Sequence, residues 1–225
     1  MSRAALARLW ISWGKRPADL LLSTGLGILT APLLAACALA VLAVDGPPVL
    51  FRQERVGRGG GRFHILKLRT MRSAPGPQVT AAGDPRVTAI GRRLRRAKLD
   101  ELPQLANVVR GEMSLVGPRP EVPRYVEDRP RDFRALEQLR PGMVDWASLV
   151  FRDEEELLAA HGGEPDFYSR VLLPRKLALA RLYARRASPL LDLRLLLATG
   201  VLPLVGGRLS RRLIGSSFYT RARRL

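Results

Sequence analysis

The chain has 225 residues, enough for one ordinary domain with appendages and too few for two large domains. Apolar residues make up 47% and charged residues 26%, a balance that supports a buried core and excludes wholesale disorder. The net charge of +18 predicts a partner rich in phosphate: nucleic acid, anionic lipid head groups or a phosphorylated substrate. Cys37 is the single cysteine, which excludes an intramolecular disulfide and a multi-cysteine metal site.

Residues 20–44 carry no charged side chain, and this run exceeds the roughly 20 residues that a helix needs to cross a bilayer. It is too long for the apolar core of a signal peptide and has no convincing cleavage motif before Asp45. Pro32, near its middle, predicts a kink. Both flanks are basic, so the positive-inside rule favours both ends on the cytoplasmic side, as in a helix that enters, breaks and returns. The residues alone leave spanning and re-entry open.

The middle of the chain combines short strands with a basic helix. Two strands are predicted to form a hairpin around the glycines at residues 59–61. Lys67 and Arg69, at the end of the second strand, are either a solvated basic edge or a grip for phosphates. From Arg86 the pattern predicts a basic amphipathic helix, which suits an anionic membrane surface or nucleic acid equally.

Asp100 stands where the next helix is predicted to begin, and that helix should end at Gly111. The plainest interpretation is an N-cap, because aspartate caps well and Pro103 is tolerated in a first turn. The alternative is functional: a carboxylate at this place can attack phosphorus and form an acyl phosphate, with helix donors beside it to hold the phosphate. Both interpretations stay open on local grounds.

Arg119 follows in a segment punctuated by glycine and proline, and Pro118 and Pro120 flank it directly. The segment is a rigid connector in the simplest interpretation. Rigidity around an arginine is also what a bidentate phosphate contact requires, so a role in phosphate binding remains open.

The C-terminal third is predicted to be helical. Four adjacent acidic residues, 153–156, predict the solvated start of a short helix rather than a metal site. Residues 167–199 predict two helices that lie on the membrane surface and are separated near Ser188 and Pro189. A basic tail is predicted to contact anionic lipid; its arginines are Arg208, Arg211, Arg212, Arg221, Arg223 and Arg224.

Five sequence blocks, each weak alone, occur together in an order typical of one family. They lie at residues 46–57, 67–71, 84–86, 99–105 (Leu-Asp-Glu-Leu-Pro-Gln-Leu) and 114–120 (Ser-Leu-Val-Gly-Pro-Arg-Pro). The chain resembles the monotopic phosphoglycosyl transferases among the bacterial sugar transferases, which initiate the assembly of polysaccharides and glycoprotein glycans. The resemblance runs from about Arg16 to Gly200, most of the chain.

The resemblance implies a catalytic pair at Asp100 and Glu101, with Asp100 as nucleophile on the sugar-bearing phosphate of a UDP-sugar. UMP would leave, and polyprenyl (undecaprenyl) phosphate would collect the phosphosugar from Asp100. Magnesium is the implied cofactor, held near Asp100. The other implied positions are Lys67, Arg69, Gln104 and Arg119 for substrate binding and Arg95 for lipid head groups.

The expected fold is α+β and mostly helical, with an N-terminal re-entrant membrane helix, a small catalytic domain with short strands, and amphipathic interfacial helices. Residues 1–45 would hold the re-entrant helix, residues 46–147 the catalytic core, and residues 148–225 the membrane-associated helices. The expected location is the bacterial inner membrane with the site on its cytoplasmic face. The expected partners are a UDP-sugar, polyprenyl phosphate and anionic lipids, and the oligomeric state is open.

Two positions depart from the family pattern. Ala31 precedes Pro32 where the family often has serine, which leaves open how a helix break is stabilised. Asp145 replaces a usual glycine in a loop near the place where substrate choice is thought to lie, so the sugar cannot be inherited from the resemblance.

Two other classes of protein compete with the transferase. A nucleic-acid-binding protein would explain the charge of +18 but not the apolar run at residues 20–44, and no zinc, RNA-recognition or basic-zipper pattern is present. A non-catalytic basic membrane adaptor would explain the run and the tail, but would leave Asp100, Glu101 and the block around Arg119 as coincidences.

Overall fold

The computed structural model describes residues 3–76, 79–162 and 165–205, and the predicted basic tail after residue 205 lies outside the described residues. The described part is mostly helical with a few short strands, which confirms the α+β class. The helices are α1 Arg3–Leu9, α2 Lys15–Asp45, α3 Ala89–Ala97, α4 Gln104–Arg110, α5 Pro123–Glu127, α6 Pro130–Phe133, α7 Trp146–Val150, α8 Glu154–Ala160, α9 Pro165–Phe167, α10 Leu173–Arg186 and α11 Pro189–Val205. The strands are β1 Leu50–Val56, β2 Arg62–Leu68, β3 Ser114–Val116 and β4 Gly142–Val144.

The N-terminal helix is long and largely exposed. Among the described residues, one helical stretch, Ala5–Asp45, is long and apolar enough to cross a membrane. Leu21, Ile28 and Leu29 are each exposed over 73–76% of their surface, which indicates an apolar surrounding rather than water. The helix α2 continues through Pro32 as one element. The expected break at Pro32 is therefore not seen, and re-entry stays a prediction.

Both ends of α2 are fastened to the same globular part. Near its start, Arg16 donates to carbonyls in the last turn of α4 at 2.6 and 3.0 Å, and Asp19 accepts from the Ser114 hydroxyl at 2.7 Å. Beyond its end, the Arg69 guanidinium donates to the carbonyls of residues 45–47 at 2.5 to 2.8 Å. Those contacts satisfy carbonyl groups that a helix C-terminus leaves without partners. The exposed apolar middle of α2 thus lies between two anchored ends.

The predicted hairpin is confirmed, since β1 and β2 pair antiparallel around residues 57–61. The predicted basic amphipathic helix is α3, which begins at Ala89 rather than at Arg86 because the Thr88 hydroxyl caps it by accepting from the Gly91 amide at 3.0 Å. Its buried Leu94 packs against α2 and the end of β2. The apolar stripe of α3 therefore faces the protein.

Asn107 joins α4 to β2. It is fully buried, accepts from the Leu66 amide at 3.1 Å, and donates to the His64 carbonyl at 2.8 Å and the Glu112 carboxylate at 2.6 Å. These bonds fix the helix that follows Asp100 against the strand that carries Lys67. Gly111, at φ 86°, ends α4 as predicted.

Strands β3 and β4 form a parallel pair that the sequence did not predict. At its end the backbones at Gly117 and Gly142 approach so closely that a Cβ on either residue would lie within 2.6 Å of backbone atoms of the other segment. Only glycine allows this approach. It fixes the start of residues 118–121, the segment that carries Arg119.

One hydrophobic core joins the three parts of the chain. Ala7 from α1, Val108 from α4 and Leu177 from α10 all belong to it. The predicted division between two C-terminal helices is confirmed, since α10 ends at Arg186 and α11 begins at Pro189. Residues 1–45, 46–147 and 148–205 therefore pack as one body in the described part of the chain.

Candidate active site

The two carboxylates of the predicted catalytic pair lie in a single helical turn, Leu99–Glu101, which we call the catalytic turn. Lys98, the residue before it, is left-handed with φ 59°, and its amide closes the end of α3. Such a residue reverses the chain sharply. Asp100 and Glu101 are 5% and 8% exposed, so the reversal places two acidic groups inside the protein.

Asp100 is not an N-cap, and the capping interpretation is wrong. Helix α4 begins three residues after the catalytic turn, at Gln104, and Pro103 precedes it without a side-chain cap. The Oδ1 atom of Asp100 is buried without a hydrogen-bond partner among the described residues. An orphaned carboxylate oxygen is costly, which points to a ligand or reactant rather than to a structural contact.

Glu101 has two cationic neighbours. The Lys67 ammonium donates to its Oε1 at 2.9 Å, and the Arg119 guanidinium lies 3.7 Å from the same atom. Strand β2 supplies the first cation, and the rigid segment after β3 supplies the second. The structure therefore brings Asp100, Glu101, Lys67 and Arg119 together, as the sequence predicted.

The electrostatics of the two acids differ. Burial raises the pKa of Asp100, and the nearby Lys67 offsets this only in part. Burial also opposes ionisation of Glu101, but Lys67 and then Arg119 outweigh it and hold the pKa of that carboxyl well below its usual range. Glu101 is thus a fixed anion, whereas the charge on Asp100 is poorly compensated.

The three other predicted site residues differ in the groups that they contact. Gln104 is buried one turn after Asp100, and its Nε2 atom has no hydrogen-bond partner among the described residues, so it is free to meet a ligand. Arg69 is engaged with the carbonyls at the end of α2, which gives it a structural role in this conformation. Arg95 forms an ion pair with Glu155 at the start of α8. The substrate contact of Arg69 and the lipid contact of Arg95 stay predictions.

A second buried cluster was not found from the sequence. The Lys176 ammonium, on α10, donates to both oxygens of Glu154 at 3.1 and 3.2 Å and to the Tyr168 hydroxyl at 3.1 Å, while that hydroxyl donates to Glu121 at 2.8 Å. We call these four residues the Lys176 network. The helix start predicted at residues 153–156 is confirmed, since α8 begins at Glu154. The predicted solvation is wrong for Glu154, because tertiary packing brings the Lys176 ammonium onto it. The separation of the four residues along the chain gave no local signal.

The described residues offer no cluster of three or more acidic, histidine or cysteine side chains that could hold a metal by themselves. A magnesium ion bound between protein and substrate needs less, because it commonly takes one or two carboxylates together with substrate phosphates and water. The orphaned Oδ1 of Asp100 fits that description. The residues present are therefore compatible with magnesium held jointly by Asp100 and a phosphorylated substrate.

Comparisons with known proteins agree with the family resemblance seen in the sequence. The family model described as bacterial sugar transferase matches residues 10–205. A UDP-glucose:undecaprenyl-phosphate glucose-1-phosphate transferase of Caulobacter vibrioides is 47% identical over 150 residues, which cover 64% of this chain and 56% of that protein.

An undecaprenyl-phosphate glucose phosphotransferase of Komagataeibacter xylinus is 36% identical over 84% of this chain and 36% of its own length. An Aeromonas hydrophila protein is 40% identical over 60% of this chain and 34% of its own length, and is named a UDP-N-acetylgalactosamine-undecaprenyl-phosphate N-acetylgalactosaminephosphotransferase. The chain thus spans between about a third and a little over half of these relatives. Since the family model covers most of the chain, the protein belongs to the bacterial sugar transferase family.

Proposed function

We propose that this protein moves a sugar phosphate from a UDP-sugar to polyprenyl phosphate and releases UMP. The observation that carries the proposal is the orphaned oxygen of Asp100 beside an ionised Glu101 that is paired with Lys67 and Arg119. A nucleophile needs an oxygen that no hydrogen-bond donor of the protein occupies, whereas the cations that stabilise a diphosphate must be fixed in advance. The names of the relatives agree with this activity.

The reaction proceeds in two balanced steps. A carboxylate oxygen of Asp100 attacks the sugar-bearing phosphorus and forms a new P–O bond, while the P–O bond to UMP breaks and its electron pair leaves with UMP. An oxygen of polyprenyl phosphate then attacks the same phosphorus and displaces the Asp100 carboxylate. The products are polyprenyl diphosphate sugar and the regenerated enzyme.

The residues around Asp100 are suited to hold the negatively charged phosphates of the donor. Glu101 positions Lys67 and Arg119 through the contacts at 2.9 and 3.7 Å. The planar guanidinium of Arg119 is suited to bind two phosphate oxygens at once. Its 3.7 Å contact with Glu101 is too long for a hydrogen bond, so its donors stay available for a phosphate. The amide nitrogen of Gln104, buried without a hydrogen-bond partner among the described residues, lies one turn away as a further donor.

The chemistry also fits a divalent cation. Asp100 and the donor diphosphate would hold magnesium jointly, since Asp100 supplies one free carboxylate oxygen. Magnesium would offset the repulsion between the diphosphate and the incoming carboxylate. Loss of turnover in excess chelator, restored by added magnesium, is the expected result, and full activity under chelation would contradict it.

For the membrane topology we propose re-entry from the cytoplasmic face of the bacterial inner membrane. Anchoring of both ends of α2 to one globular body supports it, because two ends held on one body lie most simply on one side of the bilayer. Arg3→Cys and Arg52→Cys, each in a Cys37→Ser background, test it by labelling in vesicles of known orientation. Sites reachable from opposite sides of the membrane would mean that the helix spans.

Turnover separates the transferase from a non-catalytic membrane adaptor. Detergent-solubilised protein is incubated with polyprenyl phosphate and a panel of UDP-sugars, including UDP-glucose and UDP-N-acetylgalactosamine, and UMP release is measured. Donor without acceptor should give a phosphosugar adduct in the intact mass of the protein. An adaptor would release no UMP with any donor and carry no adduct.

A further inference from the structure

Arg119 lines a cavity in the protein. Its walls come from the turn between β1 and β2, residues 117–121, the segment 133–141, the start of α7 and the inner face of α10. Its volume is about 90 Å³. One water needs roughly 10 to 15 Å³, so the cavity has room for several waters or for one planar ring with its substituents.

The lining is mostly apolar. Pro118, Pro120, Leu136, Leu139 and Leu177 contribute flat or aliphatic surface. The ammonium of Lys176, which also lines the cavity, is already paired with Glu154 at 3.1 Å. Three acidic residues, Glu121, Glu137 and Asp145, also line the cavity. Apolar walls, acidic groups and a compensated ammonium suit a neutral ring better than they suit a phosphate group.

Arg119 belongs to both the cavity and the active site. It lines the cavity, and its guanidinium lies 3.7 Å from Glu101. Asp100 and Glu101 are not among the described residues that line the cavity. A diphosphate held at Arg119 would therefore present one phosphorus to the catalytic turn and direct the far end of the donor into the cavity.

The in-line geometry of phosphoryl transfer determines which end of the donor enters the cavity. Phosphoryl transfer places the attacking and leaving oxygens roughly in line. When Asp100 attacks the sugar-bearing phosphorus, UMP lies on the opposite side of that phosphorus, towards Arg119 and the cavity. We infer that the cavity binds the uracil nucleoside of the donor and of the UMP product, an assignment that rests on the proposed function.

The lipid acceptor would reach the protein along a surface other than the cavity. Most of the strongly exposed apolar side chains lie on α1, residues 10–14, α2 and α11, among them Trp13, Leu21 and Leu190. No residue of these elements lines the cavity in the described part of the chain. A polyprenyl chain would meet those helices first. The cavity is thus left to the soluble substrate.

Filling the cavity tests this assignment. Ala180→Leu adds bulk to its α10 wall, and Ala159→Leu, at an exposed site on α8, is the matched control. The dissociation constant of UMP is measured by calorimetry, and the KM of the UDP-sugar by UMP release. We expect both constants to rise together by roughly tenfold in Ala180→Leu and to stay at wild-type values in the control. Leu139→Ala, which enlarges the cavity from another wall, should weaken UMP binding even if Ala180→Leu does not fold.

The outcomes separate the two proposals. A raised donor KM with unchanged UMP affinity would make the cavity a sugar pocket and overturn the inference, as would unchanged values for both in a folded variant. Wild-type protein that binds UMP through the cavity but turns over no UDP-sugar would overturn the proposed function and leave the nucleoside site standing.

Discussion

Two clusters of buried charged residues lie close together in this protein. They differ in whether their polar atoms have hydrogen-bond partners. In the Lys176 network, hydrogen bonds at 2.8 to 3.2 Å connect an ammonium, a hydroxyl and two carboxylates. In the candidate active site, Glu101 is paired but the Oδ1 of Asp100 and the Nε2 of Gln104 have no partners among the described residues.

This difference suggests a stabilising role for the Lys176 network and a substrate-binding role for the candidate active site. A satisfied buried network fixes the packing of the elements that carry it, whereas buried polar atoms without partners cost free energy in the ligand-free protein. Such a cost is typical of sites where a substrate supplies the missing partners. The comparison predicts that changes in the Lys176 network lower stability and that changes at Asp100 lower turnover.

The largest effect is expected for Asp100→Asn. Asparagine keeps the size of the side chain but cannot form the acyl phosphate, so kcat should fall by about 10⁴-fold or more and the phosphosugar adduct should vanish. The melting temperature should be unchanged or higher, because the variant no longer buries a poorly compensated charge. Glu101→Gln is the companion variant, expected to lose activity together with its grip on Lys67 and Arg119. Retained adduct in Asp100→Asn would remove Asp100 from the mechanism.

The next effect is expected for Arg119→Lys, which keeps the charge and removes the fork. We expect kcat/KM to fall by about 10- to 100-fold, because an ammonium cannot hold two phosphate oxygens in one plane. Steady-state kinetics measure it, and Arg124→Lys, at an exposed site on α5, should behave as wild type. Equal activity of Arg119→Lys and wild type would mean that Arg119 acts only as a point charge.

A moderate loss of stability is expected for Tyr168→Phe. The change leaves Glu121 and Lys176 each one hydrogen bond short inside the protein, which should cost about 1 to 3 kcal/mol in the free energy of unfolding. Denaturant unfolding checks it. Tyr125→Phe is the control, because that ring packs 5.0 Å from Tyr168 and its hydroxyl makes no hydrogen bond among the described residues. Because Glu121 and Lys176 line the cavity, a modest rise in donor KM is compatible with this role, whereas a large fall in kcat per folded Tyr168→Phe molecule would place the network in the candidate active site.

The smallest effect is a dependence on pH. Burial raises the pKa of Asp100 above its unfolded value, so ionisation of this carboxyl opposes folding. The penalty is fully present above the folded pKa and disappears as the pH falls to the unfolded value of about 3.9. Asp100→Asn should therefore gain stability over wild type near neutral pH and lose that advantage as the pH approaches 4, as unfolding measured over this range would show. In wild type, the acid limb of kcat/KM should report a pKa above that of a free aspartate, and a limb near 3.9 would contradict the burial of this charge.

The sequence by itself determined the local elements, because local patterns encode local hydrogen bonding. The glycines at residues 59–61 predicted the hairpin, Gly111 predicted the end of α4, and residues 20–44 predicted the long apolar helix. The family motifs also identified Asp100 and Glu101, whose proximity follows from adjacency in one turn.

Only the tertiary structure decided which basic residues lie beside Glu101. Lys67 and Arg69 lie two positions apart on the second hairpin strand and just after it, yet one meets Glu101 and the other meets the carbonyls at the end of α2. The parallel pairing of β3 with β4, which sets the position of Arg119, joins segments that no local pattern links. Contacts between residues far apart in the chain depend on the path of the backbone between them, and that path is fixed by packing of the whole core rather than by any one motif.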